Sequence, residues 1–346
     1  MNVNKVAVIG AGSWGTALAH VSAENNVNTC LWARRQELVY EIKETRKNES
    51  YLPGEKISEK IKVSTDLEKV VSGADIVIIA VPSHGVREIA KKIRVYIKDD
   101  AIITSSSKGI ELDSFKRMSQ VLSEELFKGQ KQRIVALSGP SHAEEVIRNL
   151  PTTIVAASSN RVAAETVQDI LMNNSFRVYT NSDIIGVELG GALKNVIAIC
   201  SGISDGLGFG DNTRAALMTR GIVEITRLGI KLGGIATTFS GLSGIGDLIV
   251  TCSSMYSRNR KAGIEIGKGK TVKEVVKSTK MVIEGINTTK AAFLLSKSLN
   301  TEMPITEQAY LVLFEGKSPA EAVSTLMNRQ GKHEHEDTIS QKFFRC

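Results

Sequence analysis

The chain has 346 residues, 42% of them apolar and 23% charged, which is room for about two domains and the balance of a globular protein. That composition excludes a disordered chain, a collagen-like repeat and a disulfide-stapled miniprotein, and no unbroken apolar run is longer than Ile76–Val81, which falls far short of the roughly 20 residues of a bilayer span. The net charge of +7 comes from 44 basic and 37 acidic residues spread along the chain, so it suits a phosphorylated small ligand as well as nucleic acid and does not choose between them. No membrane span is expected. Met1 to Gly10 reads as a strand entering a glycine turn rather than as a leader peptide, which points to a cytoplasmic protein.

Lys5–Ile9 is the first expected strand, followed by a helix over Gly15–Asn25, a strand at Thr29–Trp32 and a helix at Gln36–Thr45. Tyr51-Leu52-Pro53-Gly54 reads as a turn. A short strand (Ile61–Ser64), a helix (Asp66–Ser72) and a buried strand (Asp75–Val81) come next; Ile102–Ser105, Ile134–Leu137, Thr153–Ala157 and Phe176–Tyr179 continue the series of strands. This alternation predicts an α/β domain, a mostly parallel sheet with helices on both faces. After about residue 185 the strand signal stops. Helical spacing recurs through Ile185–Leu228, Val272–Ser278, Thr288–Ser298, Thr306–Phe314 and Pro319–Asn328, so the second half is expected to be all-helical. The domains are therefore read as 1–185 and 186–346, with 331–346 a loosely held tail.

Four cysteines (Cys30, Cys200, Cys252, Cys346) form no CxxC pair and have no histidine at zinc spacing, and His333 and His335 lie in the polar tail, so no metal is expected. Cys30 and Cys200 read as core residues, and Cys252 as part of a polar loop.

Gly10-Ala11-Gly12-Ser13-Trp14-Gly15 is a GxGxxG between a strand and a helix, the context in which the motif binds a dinucleotide. Gly10 makes the turn, Gly12 lets the backbone approach a pyrophosphate and Gly15 packs helix on strand. The second strand ends in Trp32-Ala33-Arg34-Arg35 without the acid that binds a ribose 2′-hydroxyl. Two guanidinium groups can instead pair with a 2′-phosphate, so NADP(H) is expected to be accepted alongside or above NAD(H).

Glu188-Leu189-Gly190-Gly191-Ala192-Leu193-Lys194-Asn195-Val196 sets a lysine and an asparagine in an apolar helical run. Desolvation there would lower the lysine pKa toward neutrality and make it a usable acid or base, whereas a snorkelling lysine is the alternative. Gly241-Leu242-Ser243-Gly244-Ile245-Gly246-Asp247 reads as a glycine-rich loop ending in a carboxylate, and Ser257-Arg258-Asn259-Arg260 as a phosphate-binding set of donors, or else a polar loop capping a helix that starts near Arg258.

From about residue 5 to residue 328 the chain resembles the bacterial type of NAD(P)-dependent glycerol-3-phosphate dehydrogenase. The matching segments are GAGSWGTALA (10–19), YLPG (51–54), AVPSH (80–84), SKGIE (107–111), LSGPSHAEEV (137–146), ELGGALKNVIAICSGISDGLGFGDNTRAAL (188–217) and GLSGIGDLIVTCSSMYSRNRKAG (241–263). The resemblance implies a Rossmann-like domain and a helical domain with the active site between them, reduction of dihydroxyacetone phosphate to sn-glycerol 3-phosphate for phospholipid synthesis, and a homodimer. It implies cofactor contacts at Ser13, Trp14, Arg34, Arg35, Lys108, Ala143, Arg258, Val282 and Glu284. Substrate contacts fall on Lys108, Gly139, Ser141, Lys194, Asp247, Ser257, Arg258 and Asn259, with Lys194 as catalytic acid/base. Asn195 is added as a neighbour holding the developing oxyanion with Lys108, and Thr251 as a residue orienting Lys194 with Asp247. The chain departs from the family at His142, where Phe is frequent, at Glu144, where Lys is frequent, and at Arg34, where His is common. Related lysine–asparagine dehydrogenases, such as those of 3-hydroxyisobutyrate or 6-phosphogluconate, and a silent nucleotide sensor are the other readings; the 241–263 block and the presence of Lys194, Asp247 and Arg258 separate them.

Overall fold

A computed structural model describes residues 3–127, 133–279, 281–331 and 334. His333, His335, Cys346 and all of the 331–346 tail except Gly331 and Glu334 lie outside the described residues. Among the described residues there are ten strands: β1 (Lys5–Ile9), β2 (Asn28–Trp32), β3 (Lys47–Asn48), β4 (Leu52–Lys56), β5 (Lys62–Ser64), β6 (Ile76–Ile79), β7 (Ile102–Ser105), β8 (Ile134–Ser138), β9 (Thr152–Ala157) and β10 (Phe176–Asn181). Eight form one sheet in the order β10-β9-β8-β7-β6-β1-β2-β5, in which only the β8–β9 pair is antiparallel.

The near-continuous apolar strands follow from helices covering both faces. Val6, Val8, Leu31, Ile76 and Ile78 enter one core, whereas Ala7, Ile9, Cys30, Val77 and Ile79 enter the other, as a period of two along each strand requires. From β1 the chain builds β2 and β5 on one side, then returns to build β6, β7 and β8 on the other. Such a reversal opens a crevice outside the carboxyl ends of β1 and β6, and the glycine turn lies there.

Tyr51-Leu52-Pro53-Gly54 is not the turn. Leu52–Lys56 pairs with Lys47–Asn48 as a two-stranded antiparallel ribbon, and the reversal falls on Glu49–Tyr51. Pro53 is exposed in this small ribbon, where a missing N–H costs no inner ladder bond. The ribbon is tied down by Asn48, whose Nδ2 donates to the Ala11 carbonyl (3.1 Å) and to Thr16 Oγ1 (2.8 Å).

Among the described residues no strand follows Asn181. Asp183 caps the helix Ile184–Gly206 by accepting from Gly186 N–H. This helix is long and apolar enough to cross a bilayer by length and composition, although its longest unbroken apolar run, Val196–Cys200, is shorter than Ile76–Val81, and here most of it is buried as the axis of the helical half. The helices Asp211–Lys231, Asp247–Ser253, Arg258–Gly267 and Glu284–Ser298 pack around it.

The closest crossing is with Arg258–Gly267. A Cβ on Gly202 would lie 2.0 Å from the Arg260 carbonyl oxygen, and one on Gly263 would lie 2.1 Å from that of Ile199. Gly206 and Gly267 repeat the contact one turn on, with Cβ positions 2.3 Å from the Ile264 oxygen and 2.4 Å from the Ile203 oxygen. Small residues four apart on both helices therefore let the backbones touch, which draws the start of Arg258–Gly267 toward Lys194 and Asn195.

The 241–247 segment is helical rather than a loop. Leu242–Gly246 is one turn of π-helix that runs directly into Asp247–Ser253. A Cβ on Gly244 would meet the Phe239 carbonyl oxygen at 1.9 Å, so this glycine serves helix packing rather than a loop. Cys252 belongs to the same helix and is fully buried; desolvation pushes its thiol up to about 12, which leaves it inert at neutral pH.

Candidate active site

Gly10 ends β1 with φ +115°, in the left-handed half of backbone space, and a Cβ there would sit 2.7 Å from the Ala80 carbonyl oxygen at the end of β6. A Cβ on Gly15 would strike the Gly10 oxygen at 1.9 Å, so this glycine closes the helix onto the turn itself. Gly12 differs: nothing lies within 4 Å of its Cβ position. Gly10 and Gly15 are thus needed by packing, while Gly12 leaves open space before the N-terminus of the helix Ser13–Glu24, the place where an anion meets free N–H groups and the positive end of a helix dipole. Ser13 Oγ donates to the Tyr51 carbonyl (3.0 Å), and Trp14 lies against Phe176 with its Nε1 buried and unpartnered. Arg34 and Arg35 are exposed where β2 ends, Arg35 above the Tyr51 ring at 6.0 Å. These residues fit a dinucleotide, with the turn for its pyrophosphate and the arginines for its adenosine ribose.

The same end of the sheet carries the second cluster. Lys108 follows β7 and Gly139 follows β8. Gly139 takes φ +131°, and its carbonyl accepts from Lys108 Nζ (2.9 Å) and Ser141 Oγ (2.8 Å). Opposite, Gly190 and Gly191 bring the Ile184–Gly206 helix close. A Cβ on Gly191 would lie 2.4 Å from Ser138 Oγ, and one on Gly190 would lie 2.7 Å from the Ser243 carbonyl oxygen. One turn later Lys194 points inward with a side chain 8% exposed.

Asp247 joins the two lysines. Its Oδ1 accepts from Lys194 Nζ (2.5 Å) and its Oδ2 from Lys108 Nζ (2.6 Å). Thr251, one turn after Asp247, donates to the Asp247 carbonyl (2.6 Å) and accepts from Lys194 (2.6 Å). Two ammonium groups thus share one buried carboxylate. Burial lowers the Lys194 pKa to about 8 and Lys108 pushes in the same direction, while Asp247 opposes both. Asp247 is itself desolvated, yet the two lysines hold its pKa below the ordinary carboxylate value.

Asn195 Oδ1 accepts from Asn259 Nδ2 (2.8 Å), and Asn259 Oδ1 accepts from Gly285 N–H (2.9 Å), so these two amides join three helices. Ser257 Oγ caps Arg258–Gly267 by accepting from Arg260 N–H (3.2 Å), whereas Arg258 is exposed at the helix start and reaches the Val282 carbonyl at 3.2 Å. Arg260 does not join a phosphate-binding set. It is buried, with its guanidinium engaged by Asp205 (2.8 Å) and the Ser253 carbonyl (2.7 Å). Helical spacing explains this, since successive residues turn about 100° apart and Arg260 faces the interior.

Glu284 begins the Glu284–Ser298 helix and reaches the 3-10 turn that follows β6, accepting from Ser83 N–H (2.9 Å) and Ser83 Oγ (2.6 Å). Ser83 carries no role in the sequence reading although it lies in the AVPSH segment. Glu188 was read only as part of a motif. It clamps the helix Met118–Leu122 by accepting from Arg117 Nη1 (2.5 Å), Ser119 N–H (2.7 Å) and Ser119 Oγ (2.6 Å); an acid next to an apolar helical run is the signal the sequence carries. Ala143 is buried beside the Gly139 turn. Among the described residues no group of three or more His, Cys, Asp or Glu side chains is arranged to hold a metal ion.

A dinucleotide turn at the sheet's switch point, facing a buried lysine–carboxylate centre on a helical half, defines a dinucleotide-dependent dehydrogenase. Family models for NAD-dependent glycerol-3-phosphate dehydrogenase match here, the N-terminal one over residues 5–164 and the C-terminal one over 183–324. The chain is 54% identical over 333 residues to the glycerol-3-phosphate dehydrogenase [NAD(P)+] of Pelotomaculum thermopropionicum, covering 96% of this chain and 95% of that one. It is 52% identical to the enzyme of that name from Bacillus subtilis, covering 98% of both. Among solved structures, glycerol-3-phosphate dehydrogenase from Coxiella burnetii superposes with TM-score 0.89 at 38% identity, over 94% of this chain and 99% of that one. The chain belongs to the NAD-dependent glycerol-3-phosphate dehydrogenase family, and is an NAD(P)-dependent oxidoreductase.

Proposed function

We propose that the chain reduces dihydroxyacetone phosphate to sn-glycerol 3-phosphate, reversibly, with Lys194 as general acid and base. The Lys194–Asp247–Lys108 cluster carries this reading. A bound nicotinamide would give hydride to, or take it from, the C2 carbon; Gly10, Gly12, Ser13, Trp14 and Gly15, with Arg34 and Arg35, would hold the cofactor, and Lys108, Ala143, Arg258, Val282 and Glu284 would complete its contacts. As the carbonyl oxygen gains charge, the Lys194 ammonium gives it a proton, and Lys108 steadies the same oxygen. Asp247 and Thr251 aim Lys194 while keeping its charge paired. Gly139, Ser141, Ser257, Arg258 and Asn259 take the phosphate end, with Asn195 fixing Asn259, so that remote binding orients the carbonyl. The division at residue 185, which rests on strands giving way to helices there, and the cytoplasmic location belong to the same reading, and the homodimer and the role in phospholipid synthesis rest on the family resemblance.

Following NADPH absorbance with dihydroxyacetone phosphate and with other carbonyl acids tests it directly: turnover should require the phosphorylated ketone. Arg258→Ala is expected to raise KM for that substrate roughly 10- to 100-fold, in line with loss of a charge-assisted pair; an unchanged KM removes Arg258 from phosphate binding. Arg34→Ala should lower the preference for NADPH over NADH by about tenfold, as measured by the two dissociation constants, and an unchanged ratio would show that β2's terminal arginines leave the 2′-phosphate alone.

A further inference from the structure

Reduction of a ketone phosphate needs two groups of residues held at a fixed separation. Lys194, Asp247 and Thr251 act at the carbonyl, and Ser257, Arg258 and Asn259 take the phosphate. Along the chain only the short turn Ser254–Tyr256 separates the helix Asp247–Ser253 from Ser257, the N-cap of Arg258–Gly267. The turn closes on itself: Ser254 Oγ accepts from Tyr256 N–H (3.0 Å), and the Ser254 carbonyl accepts from Ser257 N–H (3.3 Å). Those bonds shape the turn without setting the direction of the helix that leaves it.

Arg260 supplies that direction. From the first turn of Arg258–Gly267 its Nη1 donates back to the Ser253 carbonyl (2.7 Å) and to Met255 Sδ (3.2 Å), so one guanidinium bridges both sides of the turn. Carbonyls in the last turn of a helix have no partner within it, and a cation there meets the negative end of the helix dipole. Arg260 Nε and Nη2 both lie 2.8 Å from Asp205 Oδ2. Asp205 belongs to the last turn of the axis helix Ile184–Gly206, about three turns on from Lys194. Its Oδ1 accepts from Arg214 Nη2 (2.8 Å) on Asp211–Lys231. The Arg260 and Asp205 side chains are only 11% and 12% exposed, so salt and water screen the pair little. A planar fork held by oxygens of two different helices fixes orientation as well as distance.

We propose that Arg260, held by Asp205, is a positioning residue for the reduction. It sets the angle between the helix that carries Asp247 and the helix start that takes the phosphate, so that a phosphate bound there brings the C2 carbonyl to Lys194. This rests on the substrate reading above and deepens it. Without the link the phosphate binds out of register with the acid/base cluster, and a misplacement of about 1 Å can cost about 10²-fold.

The test compares kcat/KM for dihydroxyacetone phosphate and for dihydroxyacetone, the same ketone without its phosphate. Arg260→Met keeps an apolar stem in place, and Asp205 retains Arg214, so no buried charge is left alone. It should lower kcat/KM for the phosphorylated ketone by roughly 10- to 100-fold and leave NADPH affinity unchanged. Dihydroxyacetone does not use the helix start, so its kcat/KM should stay within about threefold of wild type. Arg260→Lys, a point charge that cannot span both oxygens, should give an intermediate ratio. Asp205→Asn weakens the hold on the guanidinium without removing it, and should lower the ratio in the same sense. A ratio unchanged from wild type in both Arg260→Met and Asp205→Asn overturns the proposal, whether both rates fall together, as general damage to the fold would make them, or neither falls. If Arg260→Met does not fold, Arg260→Lys decides by the same criterion. A wild-type enzyme that handles the two ketones equally would instead overturn the phosphate reading of Ser257, Arg258 and Asn259.

Discussion

Lys194→Ala is expected to lower turnover by roughly 10²- to 10⁴-fold, the usual worth of a positioned acid or base, while NADPH still binds and the protein still folds. Folding survives because the cluster is not left with a lone charge: Lys108 remains 2.6 Å from Asp247, so the buried carboxylate keeps a cationic partner. Binding survives because the glycine turn and Arg34 lie in the strand-end crevice, on elements that Lys194 does not touch. Steady-state kinetics paired with NADPH titration decides the matter, and turnover near wild type would refute the acid/base role.

The same lysine sets a pH signature. Its ordinary pKa of 10.5 is brought down to about 8 by burial and by Lys108. Reduction uses the ammonium, so its rate should fall as pH rises through about 8; oxidation uses the neutral amine, so its rate should rise over the same interval. Lys194→Arg keeps a charge that does not titrate there, and it should abolish this opposed pair of limbs. Profiles that run in the same sense in both directions would indicate that another group titrates.

Gly263→Val is expected to be the most damaging substitution away from the reacting groups. The new Cβ would stand 2.1 Å from the Ile199 carbonyl oxygen and 2.8 Å from the Ile203 amide nitrogen. Both obstacles are backbone atoms within a helix, so no rotamer change relieves the overlap and the two helices must part. Overpacking of this kind costs about 1–3 kcal/mol and more where the backbone cannot move. Separation also pulls Asn259 from Asn195 and shifts Ser257 and Arg258, so activity should fall together with the melting temperature. Gly331→Ala, at a position with nothing within 4 Å, is the control and should leave both unchanged. A Gly263→Val protein with wild-type stability would show that the crossing tolerates separation.

Local periodicity carried the fold reading a long way. Gln36–Thr45 and Ile102–Ser105 have the bounds expected from sequence, and most other elements lie within a few residues of theirs, because an apolar face buried by its neighbours leaves a period of two or 3.6 in the chain. The errors share one cause. Pro53-Gly54 and the glycines of 241–246 favour turns and loops by residue type, yet the first pair lies in a two-stranded ribbon and the second group at a π-turn packed on Phe239. In each, tertiary packing determined what the glycine was for.

What the sequence by itself determined is the inventory. It marked a nucleotide turn between strand and helix, an acid-free end to the second strand, a lysine within an apolar helix and a row of donors at a helix start, and the family resemblance attached roles to them. What only the tertiary structure decided is which of these groups meet. Lys108, Lys194 and Asp247 are 139 and 53 residues apart along the chain, and no local pattern records that one carboxylate holds both lysines. Nor does it record that Arg260 turns inward to Asp205 while Arg258 stays exposed. The opening charge surplus is explained the same way: a lysine's partner and pKa are set by distance and burial, which belong to the folded chain, whereas composition only counts the charges.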